Sequence, residues 1–290
     1  MSQISRKHAN TLGVRVDSTH KASVLRFVRA NIAKAKKFYI VSTNPEIVMK
    51  AQKDPDLAQI INSADISLPD GIGLISAHKF FQLPNPKEKF LRVLTLFAQG
   101  LGIGFSVLFN REWLMQDLKL IKGREIFMDL VNVANKKGWR VFLIGGERGE
   151  ADGTKKELEK IYKRVKIVSF QGPMLDESGE PISKNDKDLE EKAVQKINYY
   201  KPHLLFVAFK FPRQEKWVYR WYNKLNIGGA MTVGGTFNYI AGKSKLPPKW
   251  FEDRGLEWFW RLINEPKRGK RIFDAFPRFP LVVFWKKLIS

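Results

Sequence analysis

The pattern of apolar and polar positions along the chain predicts six short, buried strands. Each is a run of six to eight residues, and the runs cover residues 37–43, 64–70, 139–146, 165–170, 203–209 and 228–235. The segments between them repeat apolar residues three and four positions apart, as amphipathic helices do. Nearly continuous apolar strands separated by helices are typical of a parallel sheet covered on both faces. We therefore predict an α/β, Rossmann-like fold with helices on both faces of a parallel sheet.

Polar residues follow two of these strands at the point where each ends. Ser42, Thr43 and Asn44 close the first strand, and Asp70 and Gly71 follow the second. Ligands of such sheets bind beyond the carboxyl ends of the strands, so we predict that these residues share one binding site. A carboxylate there can act as a general base, which makes Asp70 the candidate catalytic residue. The structural alternative is a Pro-Asp-Gly turn and an ordinary Ser, Thr or Asn helix cap.

Two further strand ends carry candidate binding residues. Gly145 and Gly146 follow the third strand and precede a helix, where a glycine turn can receive a phosphate or a sugar hydroxyl. A plain tight turn explains them equally well, because their spacing does not give the G-x-G-x-x-G motif of dinucleotide-binding folds. Gln214 lies in the first turn of the helix after the fifth strand. It can hydrogen-bond a substrate there, or simply cap the helix.

The charge balance narrows the classes of partner. The 290-residue chain has 51 Lys and Arg against 29 Asp and Glu, a formal net charge of +22. This excess favours nucleic acid, an anionic lipid surface or a phosphate-bearing substrate. Nucleic acid is the least favoured of these partners, because the sequence contains no recognition module. The absence of cysteine excludes thiolate metal sites, and the four scattered histidines give no reason to expect a metal.

The N-terminal segment and one internal segment bear on where the protein works. The N-terminal segment lacks the apolar run of a signal peptide, so we expect a cytoplasmic protein. Residues 91–109, inside an apolar insertion at about 80–122, approach the length of a membrane-spanning helix. One arginine and three glycines in this segment favour a membrane-interface hairpin or a buried insertion over a spanning helix.

Residues 249–290 are predicted to form a helical, membrane-associating appendage to an α/β core of residues 1–248. Trp285 and the two lysines after it are typical of an anchor at the membrane interface. A terminal helix packed on the core is an equally good explanation of the same residues. The sequence of the appendage is therefore consistent both with membrane contact and with packing on the core.

The segment 255–273 combines aromatic rings with three candidate substrate-binding residues, Arg261, Arg268 and Arg271. Guanidinium groups suit a diphosphate because they donate hydrogen bonds in pairs and keep their charge. The structural explanation of Arg261 is an i, i+4 ion pair with Glu257. The aromatic rings can pack on the core or enter lipid headgroups.

Six motifs, in order along the chain, resemble those of the WecG/TagA/CpsF glycosyltransferase family. They are TNPEIV, LPDGIG, VFLIGG, PRQEKW, VGGTFNYIAGKSKLPPKW and GLEWFWRLINEPKRGKRI. The resemblance implies an inverting enzyme that moves an N-acetylmannosamine-type sugar from a UDP donor to a polyprenyl-diphosphate-linked N-acetylglucosamine. It also implies a peripheral location on the inner face of the cytoplasmic membrane. The products of such enzymes feed wall teichoic acid or another surface polysaccharide.

The resemblance assigns roles to individual residues. Asp70 matches the proposed catalytic base of the family, Ser42 and Asn44 match groups lining the donor pocket, and Gln214 matches the family's glutamine. The appendage arginines thought to meet the diphosphate correspond to Arg261, Arg268 and Arg271. No metal is expected, and the UDP-sugar is counted as a substrate and not as a cofactor.

The chain departs from the family pattern at four places. Asn238, a predicted substrate-binding residue, stands where relatives usually carry Asp, and Leu246 opens a Leu-Pro-Pro run in place of Arg-Ala-Pro. Lys210 replaces a common glycine, and the 80–122 insertion is longer and more apolar than expected. These departures leave the sugar and the acceptor open. The loss of the Asp keeps a catalytically inactive, membrane-associated scaffold as an alternative, and the oligomeric state is open, with a homo-oligomer allowed.

Overall fold

A computed structural model describes residues 8–147 and 149–290; residues 1–7, which begin the N-terminal segment considered above, lie outside the described residues. The strands are β1 (His8–Thr11), β2 (Val14–Asp17), β3 (Phe38–Thr43), β4 (Ile66–Pro69), β5 (Arg140–Gly145), β6 (Lys166–Phe170), β7 (Leu204–Ala208) and β8 (Gly229–Thr232). The helices are α1 (Lys21–Ala33), α2 (Pro45–Ala51), α3 (Pro55–Ser63), α4 (Ile72–Gln82), α5 (Lys89–Phe109), α6 (Arg111–Leu114), α7 (Gly123–Lys137), α8 (Glu150–Ile161), α9 (Lys184–Tyr200), α10 (Arg213–Trp221), α11 (Thr236–Ile240), α12 (Lys249–Asp253), α13 (Glu257–Asn264), α14 (Gly269–Phe273) and α15 (Phe279–Ile289). A 3₁₀ turn (Pro266–Arg268) precedes α14, and a kinked turn (Asp274–Arg278) joins α14 to α15.

Six strands form one parallel sheet in the order β4-β3-β8-β7-β5-β6. Each predicted segment contains one of these strands, so the predicted strands and the α/β fold class are confirmed. An antiparallel hairpin of β1 and β2 was not predicted from the sequence. Each of its strands has only four residues, which is too short for a clear periodic signal.

Both faces of the sheet are covered, as predicted. Along β3, Phe38 and Ile40 pack in one apolar layer, and Tyr39 and Val41 pack in the other. The first layer holds α1, α7 and α8, and the second holds α2, α3, α4, α9 and α10. Except along the edge strand β6, the strands are buried on both faces of the sheet. This explains why they are apolar at nearly every position instead of at every second one.

The apolar insertion forms one continuous 21-residue helix, α5. The predicted hairpin and the predicted buried insertion are therefore both wrong. Gly100, Gly102 and Gly104 do not interrupt the helix, because a glycine in a helix costs only about 1 kcal/mol relative to alanine. The helix is long and apolar enough to cross a membrane, and most of its surface is exposed.

The C-terminal helix α15 packs back on the core, against α2, α4 and α5. The Lys287 ammonium is buried. It donates to the Leu83 carbonyl oxygen at 2.9 Å, to Gln99 Oε1 at 3.0 Å and to the Phe80 carbonyl oxygen. Burial lowers the pKa of Lys287 to about 8. The terminal helix is thus packed on the core, with Trp285 exposed and Lys287 enclosed.

Replacement of Gly229 by Ala tests the register of β3 and β8. Gly229 lies opposite Phe38 in this strand pair, and an added Cβ would overlap the buried Phe38 ring. We expect Gly229→Ala to lower the free energy of unfolding by about 1–3 kcal/mol, measured by urea denaturation. The control is Gly100→Ala, in open space on α5, which should stabilise the protein by up to about 1 kcal/mol. Unchanged stability of Gly229→Ala would contradict the packing described here.

Candidate active site

A cleft lies at the carboxyl ends of β3, β4, β7 and β8, where the parallel order predicts a ligand site. The core lines one side of the cleft, and α13, α14 and the 3₁₀ turn between them line the other. The lining residues are Ser42, Asn44, Glu46, Ile47, Asp70, Lys122, Gly123, Arg124, Lys210, Phe211, Gln214, Thr232, Val233, Gly234, Gly235, Thr236, Tyr239, Glu257, Arg261, Arg268 and Arg271. The cleft therefore joins the predicted strand-end residues to the predicted appendage arginines.

Asp70 lies directly after β4, and its carboxylate faces the cleft. Asp70 Oδ2 accepts hydrogen bonds from Ser42 Oγ at 3.0 Å and from the Gly123 amide at 3.1 Å. Burial raises the pKa of the Asp70 carboxyl above its usual value, although the two hydrogen bonds favour the charged form. A carboxylate held in one orientation with a raised pKa has the properties of a general base.

Gly123 begins α7 and was missed by the sequence analysis. An added Cβ at this position would overlap Ser42 Oγ and lie 3.3 Å from Asp70 Oδ2. Only glycine therefore allows the start of α7 to approach both side chains closely enough for its amide to reach Asp70. The sequence offers no local signal for this contact, because residue 123 is 53 positions away from Asp70.

The appendage supplies three guanidinium groups to the cleft. Arg271 binds Glu46, with Nε at 2.9 Å and Nη2 at 2.7 Å from Glu46 Oε2. Arg268 Nη1 lies 2.9 Å from Glu265 Oε2. Arg261 also lines the cleft. The three predicted arginines thus converge, and two of them are held by carboxylates that a bound anion could replace.

Arg261 differs from its predicted pairing. Its expected i, i+4 partner, Glu257, forms an ion pair with Lys122 instead, at 2.5 Å. Arg261 Nε has no hydrogen-bond partner among the described residues, and its guanidinium lies 5.9 Å from the centre of the Tyr239 ring. Burial opposes its charge, but Tyr239 and nearby carboxylates raise the pKa of Arg261 above the usual value. The group therefore keeps its charge, and it lines the cleft with a buried Nε that has no partner among the described residues.

Two more cations at the start of α7 were missed by the sequence analysis. Lys122 Nζ lies 2.8 Å from Glu252 Oε2 and 2.5 Å from Glu257 Oε1. Arg124 also pairs with Glu252. These ion pairs join the core to α12 and α13 of the appendage, so they complete the wall of the cleft.

Gln214 is a largely buried residue of the cleft lining and connects two elements. Its amide nitrogen donates to Glu215 Oε1 at 2.7 Å, and its amide oxygen accepts from the Gly234 amide at 3.0 Å. Gln214 therefore orients the loop that follows β8. Burial raises the pKa of Glu215 to about 7, against the hydrogen bond from Gln214.

Seven of the twelve predicted site residues line the cleft: Ser42, Asn44, Asp70, Gln214, Arg261, Arg268 and Arg271. Asn44 also caps α2, with its side chain accepting from the Ile47 amide at 3.0 Å. Its structural explanation and its place in the cleft therefore both hold.

The structure does not bring the other five predicted residues, Thr43, Gly71, Gly145, Gly146 and Asn238, to the lining of the cleft. Thr43 is buried, and its hydroxyl lies 2.7 Å from Ser67 Oγ on the neighbouring strand. The Gly146 amide donates to the Ala208 carbonyl oxygen at 2.9 Å. Asn238 donates to Ser244 Oγ at 2.9 Å. The position where relatives usually carry Asp therefore does not line the cleft in this chain.

Residues 8–147 and 149–290 contain no group of three or more His, Asp or Glu side chains arranged to hold a metal ion. Six of the side chains that line the cleft are cationic. They are Lys122, Arg124, Lys210, Arg261, Arg268 and Arg271. Such a set suits an anionic ligand with more than one phosphate group.

Comparison with known proteins gives a family match over most of the chain. The model of the "Glycosyl transferase WecG/TagA/CpsF family" matches residues 9–95 and 101–290. The interval between the two matched parts falls within α5. The match includes all twelve predicted site residues.

Curated relatives share a quarter or slightly more of their residues with the chain. An N-acetylglucosaminyldiphosphoundecaprenol N-acetyl-beta-D-mannosaminyltransferase of Bacillus subtilis (strain 168) is 28% identical over 245 residues, 84% of this chain and 78% of the relative. Proteins of the same name from Bacillus spizizenii (strain ATCC 23059 / NRRL B-14472 / W23) and Staphylococcus aureus (strain MW2) are 26% and 25% identical. These alignments cover 92% and 90% of this chain and 87% and 86% of the respective relatives.

The pKa of Glu215 predicts a specific dependence of stability on pH. The folded protein holds the Glu215 proton up to about pH 7, whereas the unfolded chain releases it near pH 4.3. Stability contributed by this group therefore falls as pH rises between these values. The glutamine of Glu215→Gln stays neutral at every pH. Between pH 5 and pH 8 we therefore expect the free energy of unfolding of the native protein to fall by up to about 3 kcal/mol more than that of Glu215→Gln.

The measurement is urea denaturation of both proteins at the two pH values. The control is Glu191→Gln, which neutralises an exposed carboxylate on α9 and should follow the native protein. A native-like pH dependence in Glu215→Gln would show that Glu215 does not titrate near neutrality.

Proposed function

The chain belongs to the WecG/TagA/CpsF family of glycosyl transferases, and we propose that it moves an N-acetylmannosamine-type sugar from UDP to a polyprenyl-diphosphate-linked N-acetylglucosamine. The names of the curated relatives specify this sugar and a diphosphoundecaprenol-linked acceptor. The alignments cover most of each protein, which supports carrying the reaction over to this chain. The product would enter cell-wall or surface polysaccharide biosynthesis.

One observation carries the proposal: an oriented carboxylate faces a wall of guanidinium groups across the same cleft. Asp70 is held by Ser42 and the Gly123 amide, and the arginines approach from the appendage. A transfer of this kind needs a base for the incoming hydroxyl and positive charge for the departing diphosphate. The cleft contains groups suited to both tasks.

The proposed step is a single displacement with inversion. Asp70 accepts the proton of the acceptor hydroxyl as that oxygen forms a bond to the anomeric carbon of the sugar. The bond from the anomeric carbon to the β-phosphate oxygen of UDP breaks, and its electron pair leaves with UDP. The raised pKa of Asp70 makes the carboxylate a stronger base than an exposed aspartate.

The departing UDP gains negative charge, which the appendage arginines are suited to stabilise. Arg268 and Arg271 would exchange Glu265 and Glu46 for phosphate oxygens, and Arg261 already has an unpartnered Nε. Arginine supplies this charge without a metal ion, because its guanidinium remains protonated throughout the reaction. We therefore propose a metal-independent transfer.

The lipid-linked acceptor requires a working position beside a membrane. We place the protein in the cytoplasm, peripheral on the inner face of the membrane. The net charge of +22 and the largely exposed, apolar α5 support this location. The alternative of an inactive scaffold loses its main support, because Asn238 does not line the cleft.

Replacement of Asp70 by Asn tests the base. The amide keeps the size of the side chain but cannot accept a proton from the acceptor hydroxyl. We expect Asp70→Asn to lower turnover by about a hundredfold or more, while UDP affinity changes by less than about threefold. Formation of disaccharide-lipid from UDP-N-acetylmannosamine and a short-chain acceptor is followed by mass spectrometry, and UDP binding by calorimetry.

Asp188→Asn, which changes an exposed carboxylate on α9, serves as the control and should retain native turnover. Native turnover in Asp70→Asn would exclude this residue as the base. Loss of UDP binding in Asp70→Asn would instead indicate a role in shaping the donor site.

Replacement of Ser42 by Ala tests the hydrogen bond that supports the base. The Ser42 hydroxyl favours the charged form of Asp70, so its removal should raise the pKa of Asp70 further. Only the deprotonated carboxylate is active, and we therefore expect the acidic limb of the turnover-versus-pH profile to move to higher pH in Ser42→Ala. Ser63→Ala, on α3 away from the cleft, should leave the profile in place. A shift of the acidic limb to lower pH would contradict the assigned hydrogen bond.

A further inference from the structure

The helix α5 has one face docked on the rest of the protein. This inner face repeats at intervals of four and three residues, as one side of a helix does. Its members are Arg92, Leu96, Gln99, Ile103 and Ser106. Leu96, Ile103 and Ser106 are buried.

Polar side chains hold the docked face in place. Arg92 donates to the carbonyl oxygens of Pro86 at 2.7 Å and Leu288 at 3.1 Å. Gln99 donates to the Pro84 carbonyl oxygen at 2.9 Å and accepts from Lys287 at 3.0 Å. These contacts fix α5 to the loop before it and to α15.

The opposite face of α5 is apolar and exposed. This outer face consists of Phe90, Leu94, Phe97, Leu101, Phe105 and Leu108. Phe97, Leu101 and Phe105 expose 60%, 62% and 63% of their surface. Single exposed apolar residues are common, but a continuous apolar stripe along about five turns of helix marks a surface that something covers.

The length of α5 would let it span a bilayer, but its docked face argues against spanning. At 1.5 Å per residue the helix is about 31 Å long, close to the thickness of the hydrocarbon core. Its inner face is nevertheless attached to protein from Arg92 to Ser106, about 21 Å of that length. A spanning α5 would carry Lys287 and the attached loops into the hydrocarbon region. Only the outer face is free to meet lipid.

The charges beside the outer face identify the surface that covers it. Neither α5 nor α15 contains an acidic residue, and each carries an exposed lysine, Lys89 and Lys286 respectively. The two helices pack against each other. An anionic bilayer complements both the apolar stripe and the surrounding positive charge, while a second copy of the chain would bring the same cations to the contact.

The neighbouring helix α15 has a similar exposed stripe. Leu281, Trp285 and Ile289 are separated by one helical turn each and are all exposed, while Phe279 and Val283 are buried. Tryptophan and lysine next to each other are typical of the boundary between lipid headgroups and acyl chains. The apolar surface is thus formed by two adjoining helices.

We propose that α5 lies in the plane of an anionic membrane surface, with its outer face among the acyl chains and its inner face docked on the protein. The inference rests on the proposed function, because an enzyme with a lipid-linked acceptor must meet that acceptor at the membrane. It differs from a spanning helix and from a contact between two copies of the chain. The second membrane contact is the stripe on α15.

The C-terminal end of α5 connects this surface to the cleft. Val107 packs beside Gly255 in the appendage, and Arg111 donates to the carbonyl oxygens of Glu252 and Asp253 at 2.7 and 2.8 Å. Glu252 itself binds Lys122 at the wall of the cleft. An in-plane α5 would therefore hold the mouth of the cleft close to the lipid that carries the acceptor.

Removal of apolar surface from the outer face tests the membrane contact. The triple variant Phe97→Ser, Leu101→Ser and Phe105→Ser should bind vesicles of equal parts phosphatidylcholine and phosphatidylglycerol about tenfold more weakly, or worse, in a flotation assay. The matched control is Ile161→Ser, Met174→Ser and Ile182→Ser, which removes three exposed apolar side chains elsewhere and should bind like the native protein. Equal binding of the two variants would overturn the proposal.

The orientation of α5 is tested by labelling, which the absence of cysteine in the chain makes straightforward. Single-cysteine variants Phe90→Cys and Phe109→Cys place a nitrobenzoxadiazole fluorophore at each end of the helix. In an in-plane helix both labels shift to shorter wavelength on vesicles, and dithionite added outside reduces both. Protection of one end from dithionite would show spanning and overturn the proposal. Tyr199→Cys, on exposed α9, should show no wavelength shift.

Two readouts separate this inference from the proposed function. With a short-chain, water-soluble acceptor the outer-face variant should keep turnover within about twofold of the native protein, because α5 does not line the cleft. With a long-chain acceptor in vesicles its turnover should fall by about tenfold, in parallel with vesicle binding. If the outer-face variant loses vesicle binding while the native protein shows no turnover, the result would support the membrane contact of α5 and refute the transfer reaction. A native dimer that the outer-face variant splits, without vesicle binding, would assign the surface to a second copy and overturn the membrane proposal.

Discussion

The position of the appendage depends on ion pairs across its boundary with the core. Lys122 pairs with Glu252 and Glu257, and Arg271 pairs with Glu46. Partly buried pairs add little net stability, but the loss of one partner leaves the other charge without compensation in a poorly solvated place. The pairs therefore fix where the appendage sits more than they strengthen the fold. That position brings the guanidinium groups over the strand ends, and the cleft exists only because of it.

The sheet and much of the cleft could be predicted because they follow from local patterns. Apolar runs marked all six parallel strands, and the carboxyl-end rule then selected Ser42 and Asp70. The assignment of Thr43 to the same site could have been refined by the alternation of side chains along a strand. Ser42 faces the cleft, so its neighbour faces the other side and meets Ser67. The motif resemblance, not the local pattern, supplied the appendage arginines with a role.

The parts that could not be predicted depend on contacts between distant segments. Gly123 and Lys122 reach the cleft because α7 begins beside β4, and nothing in their own sequence indicates that proximity. For α5 the difficulty was different. Its three glycines and high apolar content suggested a turn or burial, whereas a docked row with Arg92 and Gln99 on one side leaves the apolar row exposed. The helical repeat that separates the two faces is present in the sequence, but apolar residues on both faces conceal it.

The close contact at Gly123 also limits how this cleft can change during divergence. The space that a side chain would need there is occupied by Ser42 and bordered by Asp70, so the backbone amide, the hydroxyl and the carboxylate must vary together or remain as they are. A descendant that acquires a larger residue at this position must move or lose the Ser42 hydroxyl that supports the base. A glycine at residue 123 is thus a simple sequence marker for chains of this fold that keep this arrangement.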